Sequence, residues 1–182
     1  RVLGYDKLSS APPWAALAPL VASEQTRGGS RLRRDVAALG YQETINFSFV
    51  EPGWEADFAG VTRPIRLLNP IASQQSVMRT SLMGSLINVV RANHFRRVPR
   101  IRVFEVGRVF LRDPSAAAGP LSVPGVRQPL HVGAAAFGPA VDEQWGAETR
   151  AVDLFDVKTD LQQLCFPLVP RFEAATHPAL HP

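Results

Sequence analysis

Cysteine is all but absent, with Cys165 alone in 182 residues. A single thiol closes no internal disulfide, and a cysteine-built zinc site is excluded with it. Long apolar runs are missing as well. None approaches the roughly 20 residues that a membrane-spanning helix needs, and no signal-peptide pattern opens the chain. The expected setting is therefore the cytoplasm, with no membrane partner. Neither G-x-G-x-x-G nor a Walker-type loop is present, so the glycine signatures that cradle phosphates are lacking. The G-x-S-x-G nucleophile elbow of serine hydrolases is lacking too. The chain also starts at Arg1 without a methionine, which suits a piece of a longer polypeptide.

What is present is 46% hydrophobic residues, a supply that fits one domain with an appendage. A chain of this size buries roughly 70% of its unfolded surface, enough for a core without staples. Its 20 basic residues include only two lysines, Lys7 and Lys158, so the net charge of +4 is carried by arginine. Arginine's planar fork suits carboxylates and phosphates alike, and a GC-rich genome produces the same bias. The charge is also unevenly spread. Residues 79–112 hold eight arginines and one acid, Glu105, whereas 141–164 hold six acids against Arg150 and Lys158. That asymmetry points to a charged partner or to complementarity within the fold.

Residues 1–20 read as a tail and linker, because Pro12, Pro13 and Pro19 forbid a continuous helix. The remainder, 21–182, reads as one domain. After Gly28-Gly29, with Ser30 as a candidate N-cap, Leu32, Val36 and Leu39 have helical spacing and Gly40 supplies a stop. Residues 44–50 alternate as a half-buried strand that Glu51-Pro52-Gly53 ends. A short strand is expected at 65–68 and a helix over 81–97, with a broad apolar face from Leu82 to Val90. Residues 101–110 give the strongest strand signal, and 113–129 read as a long exposed loop. A strand at 130–137 follows, its small residues implying close approach of a neighbour. Leu154, Val157, Leu161 and Leu164 then mark a third helix, and a last strand is expected at 168–174. Strands interrupted irregularly by helices indicate an α+β fold, an antiparallel sheet flanked by helices.

Few residues invite a catalytic reading. His177 and His181 have the spacing of two helical metal ligands, but Pro178 and Pro182 deny them helical geometry. His94 sits among arginines and His131 at a strand start. Asp142, Glu143, Asp153, Asp156 and Asp160 are available acids; Asp156 and Asp160 stand four apart on one helix face, yet a helix N-terminal turn attracts acids for its dipole alone. Arg27-Gly28-Gly29 resembles an RNA-binding tripeptide in a single copy.

Six stretches form a distinctive ordered set: Arg1-Val2-Leu3-Gly4-Tyr5-Asp6, Gly40-Tyr41-Gln42-Glu43-Thr44 leading to Phe47-Ser48-Phe49, and Asn69-Pro70-Ile71, then Met78-Arg79-Thr80-Ser81-Leu82, Phe104-Glu105-Val106-Gly107-Arg108-Val109-Phe110 and Asp153-Leu154-Phe155-Asp156-Val157-Lys158. In this order they resemble the beta subunit of bacterial phenylalanyl-tRNA synthetase. The resemblance covers essentially the whole chain. It implies a class II aminoacyl-tRNA synthetase-like core without catalytic motifs.

Class II enzymes carry a phosphate-gripping arginine in a phrase similar to Gly107-Arg108-Val109-Phe110-Leu111-Arg112-Asp113. On that register Leu111 takes the arginine's place. Leucine offers no charge-assisted bond to phosphate, and Arg112, one residue along a strand, would face the opposite side. The third class II motif has no match, so no catalytic, cofactor-binding or metal residues are expected here. ATP and Mg2+ would serve the holoenzyme only. The implied role is non-catalytic: a structural module supporting ligation of phenylalanine to its tRNA by an alpha subunit in an α2β2 heterotetramer. Phe47, Phe49, Ile87, Val89, Arg91 and Arg96 are the expected subunit-interface residues. The alternative is a stand-alone basic RNA-binding module using the arginines of 79–112.

Overall fold

The computed structural model describes residues 27–120 and 122–177, together with 7, 11, 12, 14–16 and 179. The expected tail and linker at 1–20 lies largely outside the described residues.

Gly28 precedes helix α1 (Gly29–Ala38) in extended geometry, and Gly40, at φ +85°, turns the chain out of it. Ser30 lies inside α1 instead of capping it. The strand expected over 44–50 is realised at neither its start nor its middle. Two short strands bracket it, β1 (Gln42–Glu43) and β2 (Phe49–Val50). Between them Ile45 and Phe47 are largely exposed, because an alternating pattern becomes a strand only where a partner edge is offered.

Helix α2 (Pro52–Ala59) was not expected. Pro52 occupies its first turn, where a missing N–H costs nothing, and Gly60 closes it in the left-handed region. The Pro-Gly pair thus starts a helix here and does more than end a strand. β3 (Val77–Met78) pairs antiparallel with β2, and the strand expected at 65–68 contracts to a bridge between Arg66 and Val77.

Helix α3 (Met83–Phe95) is followed by β4 (Ile101–Arg108). β5 (Leu111–Arg112), just before the expected loop, and β6 (Val126–Arg127), within it, form a small antiparallel ribbon. β7 (Leu130–Phe137) and α4 (Leu154–Cys165) complete the elements. Residues 168–174 form no strand. α4 has a reciprocal cap: the Asp153 carboxylate accepts from the Phe155 and Asp156 N–H groups, and that of Asp156 accepts from the Asp153 N–H.

The central sheet has the order β1-β4-β7. β4 and β7 are antiparallel from Ile101↔Phe137 to Arg108↔Leu130, but β1 runs parallel to β4 (Gln42↔Val103). The sheet is therefore mixed, which corrects the expected antiparallel one. Residues 44–100, α3 among them, intervene between β1 and β4 and form a crossover long enough to return the chain to the same end.

Strand alternation gives β4 two buried faces. Towards α3, Ile101 and Val103 pack with Leu82, Leu86 and Val109; towards α1 and α4, Phe104 and Val106 pack with Val36 and Tyr41. Each fully buried apolar side chain contributes about 1.5–3 kcal/mol. The small residues of β7 do what was expected of them. A Cβ at Gly133 would lie 3.0 Å from Leu86 Cδ1 and 3.2 Å from Leu82 Cβ, so α3 rests directly on that strand. No helix of the described residues is long and apolar enough to cross a membrane.

Candidate functional site

Leu111, on β5, is half-buried against the Leu82–Leu86–Val103 cluster. Arg112 faces the other way, as strand alternation requires. Its Nε donates to the Arg63 carbonyl at 3.1 Å and its Nη2 to that of Pro64 at 3.5 Å.

The phrases Met78-Arg79-Thr80-Ser81-Leu82 and Phe104 to Phe110 meet in one buried network. Arg79 Nη2 lies 2.7 Å from Glu105 Oε1, with both side chains at most 5% exposed. Asn46 Nδ2 donates to Glu105 Oε2 at 2.8 Å, and Arg79 Nε donates to the Arg108 carbonyl at 3.0 Å. Arg79 Nη1 finds no partner among the described residues. Gly107 makes the network possible, since a Cβ there would collide with Arg79 Nη2. Beside it, buried Glu55 on α2 accepts from the Thr80 N–H at 2.7 Å and from the Thr80 hydroxyl. Chemically this is a desolvated ion pair whose ligands are protein groups on nearly every side, which is what a structural strut requires.

A second network lies on the opposite face of β4. Asp160 Oδ2 on α4 accepts from the Tyr41 hydroxyl and from Arg102 Nη1, each at 2.8 Å. The Arg102 guanidinium also sits 5.2 Å from the Tyr41 ring centre and donates to the Ala140 carbonyl. Burial first, and then the Asp160 carboxylate, push the Tyr41 phenol up to about 12. At the start of α4, Arg150 clasps Asp156 through two hydrogen bonds of 2.7 and 2.6 Å, and these hold the Asp156 carboxyl well below the usual carboxylate range. Four of the six acids of 141–164 are thereby engaged, Asp142 facing Arg100 at 3.4 Å.

Of the expected interface residues, Phe47, Phe49 and Arg91 come together. They line a cleft of about 290 Å3 with Trp54, Gln74 and Asn88, and Arg91 Nη2 donates to Asn88 Oδ1 at 3.1 Å. Ile87, Val89 and Arg96 do not line it. Val89 is half-buried against the α3-face core, so that part of the helix's apolar arc is core and not free surface. Arg96 closes the C-terminus of α3, exposed. Trp54 escaped the sequence reading because α2 did; its signal was Pro52 placed directly after the strand. His94, exposed, stacks edge-on against Phe137 at 4.9 Å. His177 Nδ1 accepts from the Ala179 N–H at 3.2 Å, while His181 lies outside the described residues. Among the described residues, no three His, Cys, Asp or Glu side chains gather to hold a metal ion.

Comparison with known proteins decides the ancestry. Residues 8–182 match the family model of the phenylalanyl tRNA synthetase beta chain CLM domain. The chain belongs to this family. Its relatives include the phenylalanine–tRNA ligase beta subunits of Burkholderia lata, at 57% identity over 182 residues, and of Burkholderia pseudomallei and Ralstonia nicotianae, each at 54%. Each alignment covers 100% of this chain and 22% of the relative, so the chain spans about a fifth of their length. Among solved structures, a pyrrolysyl tRNA synthetase of Desulfitobacterium hafniense superposes on 57% of this chain and 36% of its own, with a TM-score of 0.38 and 15% identity, too loose a likeness to bear on the fold.

Proposed function

We propose that this chain is a non-catalytic structural module of a phenylalanine–tRNA ligase, a class II-like core that supports ATP-dependent ligation of phenylalanine to tRNA by a catalytic alpha subunit in a cytoplasmic α2β2 enzyme. The observation that carries it is Leu111, half-buried against the core where the resemblance puts the phosphate-gripping arginine. Arg112 is no substitute, because one residue along the strand it faces away from the side on which Leu111 packs, towards the carbonyls of Arg63 and Pro64. The residues present do not fit ATP or its Mg2+ in the manner of a class II site, so these belong to the holoenzyme. Family membership and the relatives' names support the ligase reading.

The cleft formed by Phe47, Phe49 and Arg91 is the centre of the alpha-subunit contact, with Ile87 and Arg96 as further members of that surface and Val89 as its buried support. Partly exposed aromatics beside an arginine are the composition that protein interfaces favour. The rival, a stand-alone RNA-binding module, is weakened by burial: Arg79 and Arg102, two of the eight arginines in 79–112, are spent on Glu105 and Asp160.

The test is co-purification of the full-length beta polypeptide with its alpha subunit. Phe47→Asp with Arg91→Glu is expected to abolish co-elution while circular dichroism stays unchanged; undiminished pairing overturns the interface assignment. Pyrophosphate exchange by the beta polypeptide alone is expected to stay at background. Clear exchange that Arg112→Ala removes would overturn the non-catalytic reading.

A further inference from the structure

A second cleft, of about 430 Å3, opens between α2 and the segment that follows it. Its lining includes Pro52, Ala56 and Thr62 together with three arginines, Arg63, Arg66 and Arg112, and contains no acidic residue. Arg63 and Arg66 are exposed and have no carboxylate partner among the described residues, in contrast to Arg79, Arg100, Arg102 and Arg150. The nearest acids in sequence are engaged elsewhere or stand outside the lining. Glu55 is bound to Thr80, Asp113 lies 3.8 Å from Arg127 and accepts from Ser115, and Asp57 is not part of the cleft wall.

The guanidinium groups also start from a fixed frame. Met78 N–H donates to the Ile65 carbonyl at 2.8 Å and Leu67 N–H to that of Ser76 at 3.0 Å, so backbone pairing anchors the segment bearing Arg66. Arg112 reaches over from β5 and holds the carbonyls of Arg63 and Pro64, which locks its own fork in place. Pro52 and Pro64 stiffen two walls. Three cations held together without a counter-charge repel one another, and a bound anion relieves that repulsion. Arginine forks recognise phosphate through paired, charge-assisted hydrogen bonds, and a rigid frame lowers the ordering cost of making them.

We propose that the Arg63–Arg66–Arg112 cleft binds a phosphate of the RNA backbone, making it a tRNA contact of this module that positions the nucleic acid without reading its bases. This rests on the ligase reading, since that reading supplies the RNA. No aromatic ring lines the cleft, so it has no platform on which bases could stack, and its contribution is electrostatic.

The full-length beta polypeptide, alone and with its alpha subunit, is titrated with tRNA over a range of salt concentrations. Arg63→Gln/Arg66→Gln is expected to weaken binding several-fold and to lower the slope of log K against log salt by about 1, because one lost phosphate contact removes roughly 0.7–0.9. Arg63→Glu/Arg66→Glu is expected to weaken it further, and Arg171→Gln, on an unrelated surface, to leave the slope alone. Unchanged affinity and slope in both cleft variants overturn the proposal. Inorganic phosphate provides the second arm. If it raises the melting temperature of the parent but not of the double variant, while tRNA binding is equal in both, the cleft takes a free anion and the RNA assignment falls. Failure of the beta polypeptide to pair with alpha would sink the ligase reading, whereas the RNA titration of the beta polypeptide alone still reads the cleft.

Discussion

β4 sends a charged side chain to each of its faces, and the two faces handle it differently. Glu105 points towards α3 and is almost fully buried, where Arg79, Asn46 and the space left by Gly107 enclose it. Arg102 points towards α4, where its partner Asp160 remains 20% exposed and shares its oxygen with Tyr41. The first pair ties strands and turn within one layer. The second ties a whole helix onto the sheet. A dry pair is costly to break and gives little when it is intact, whereas a half-wet latch is cheaper to open and responds to pH. The α3 side is thus the permanent frame, and the α4 side is the part that can come away.

Breaking the dry pair from one end is the severest test of that contrast. Arg79→Met leaves Glu105 buried without its counter-charge, and the expected loss is about 3–5 kcal/mol. Hydrogen exchange of the β4 amides in the full-length polypeptide measures it directly. Arg79→Met combined with Glu105→Gln is expected to recover part of that loss, since a neutral amide can stay near Asn46. A single-variant loss below about 1 kcal/mol would mean that the pair is wetter than its geometry.

The latch comes next. Asp160→Asn keeps shape but removes the charge that both Tyr41 and Arg102 address, and hydrogen bonds to charged groups are worth about 1.5–3 kcal/mol. The expected effect is selective loss of protection in α4, with β4 spared. Alkali gives an independent reading. The Tyr41 phenol is raised from about 10 unfolded to about 12 folded. Its raised value favours the folded state fully below about pH 10, and that contribution disappears as pH climbs towards 12. Tyr41→Phe is expected to flatten the α4 stability profile across that window. A profile unchanged by the substitution would take Tyr41 out of the latch.

These two networks also show what a sequence can disclose. Helices α1, α3 and α4 and strands β4 and β7 were legible because each carries its own periodicity and stop signals within about a dozen residues. Helix α2 was not, because Pro52-Gly53 serves a helix start as well as a strand end. The parallel pairing of β1 was hidden for another reason: it depends on where α3 returns the chain, and no local pattern encodes that. Likewise the strand over 44–50 was read from alternation that found no partner edge at Ile45 and Phe47. Charge asymmetry pointed in the right direction, since Arg100 and Arg102 of the basic stretch meet Asp142 and Asp160 of the acidic one. Of the expected interface, Phe47, Phe49 and Arg91 converge only because α2 and α3 pack through Trp54 and Gly84, where a Cβ would lie 2.6 Å from Trp54 Cε3. Val89 is half-buried for a reason that breadth of stripe does not reveal: α3 has the sheet on one side and α2 on another, so part of a wide apolar arc is used by its own fold.

A smaller effect is expected at the start of α4, where the half-wet face is most exposed. Asp153→Ala removes the acceptor of two helix N–H groups, and an N-cap of this kind is worth about 1 kcal/mol. The neighbouring Arg150–Asp156 clasp sharpens the pH side of the comparison with the opposite sign to Tyr41. Because the Asp156 carboxyl is held low, its contribution is present above about pH 4 and fades as pH falls further. Carboxyl chemical shifts followed by NMR are expected to show Asp156 titrating below the usual aspartate range; an ordinary midpoint would mean that the clasp with Arg150 is not kept.

The smallest expected change is a gain, and it lies on the permanent side of the molecule. Arg97, just past α3, sits at φ +61°, a left-handed conformation in which a Cβ crowds the following carbonyl. Its N–H still donates to the His94 carbonyl at 2.8 Å, so the turn is held by backbone and asks nothing of the side chain. Arg97→Gly relieves the crowding but frees the unfolded chain, two effects of opposite sign, and the net expectation is a stabilisation of at most about 1 kcal/mol. Increased protection of the last turn of α3 would register it, with α4 unmoved because the two sides of β4 are separate. If α4 protection rises in step, the frame and the latch open as one unit, and the division between the two faces does not hold.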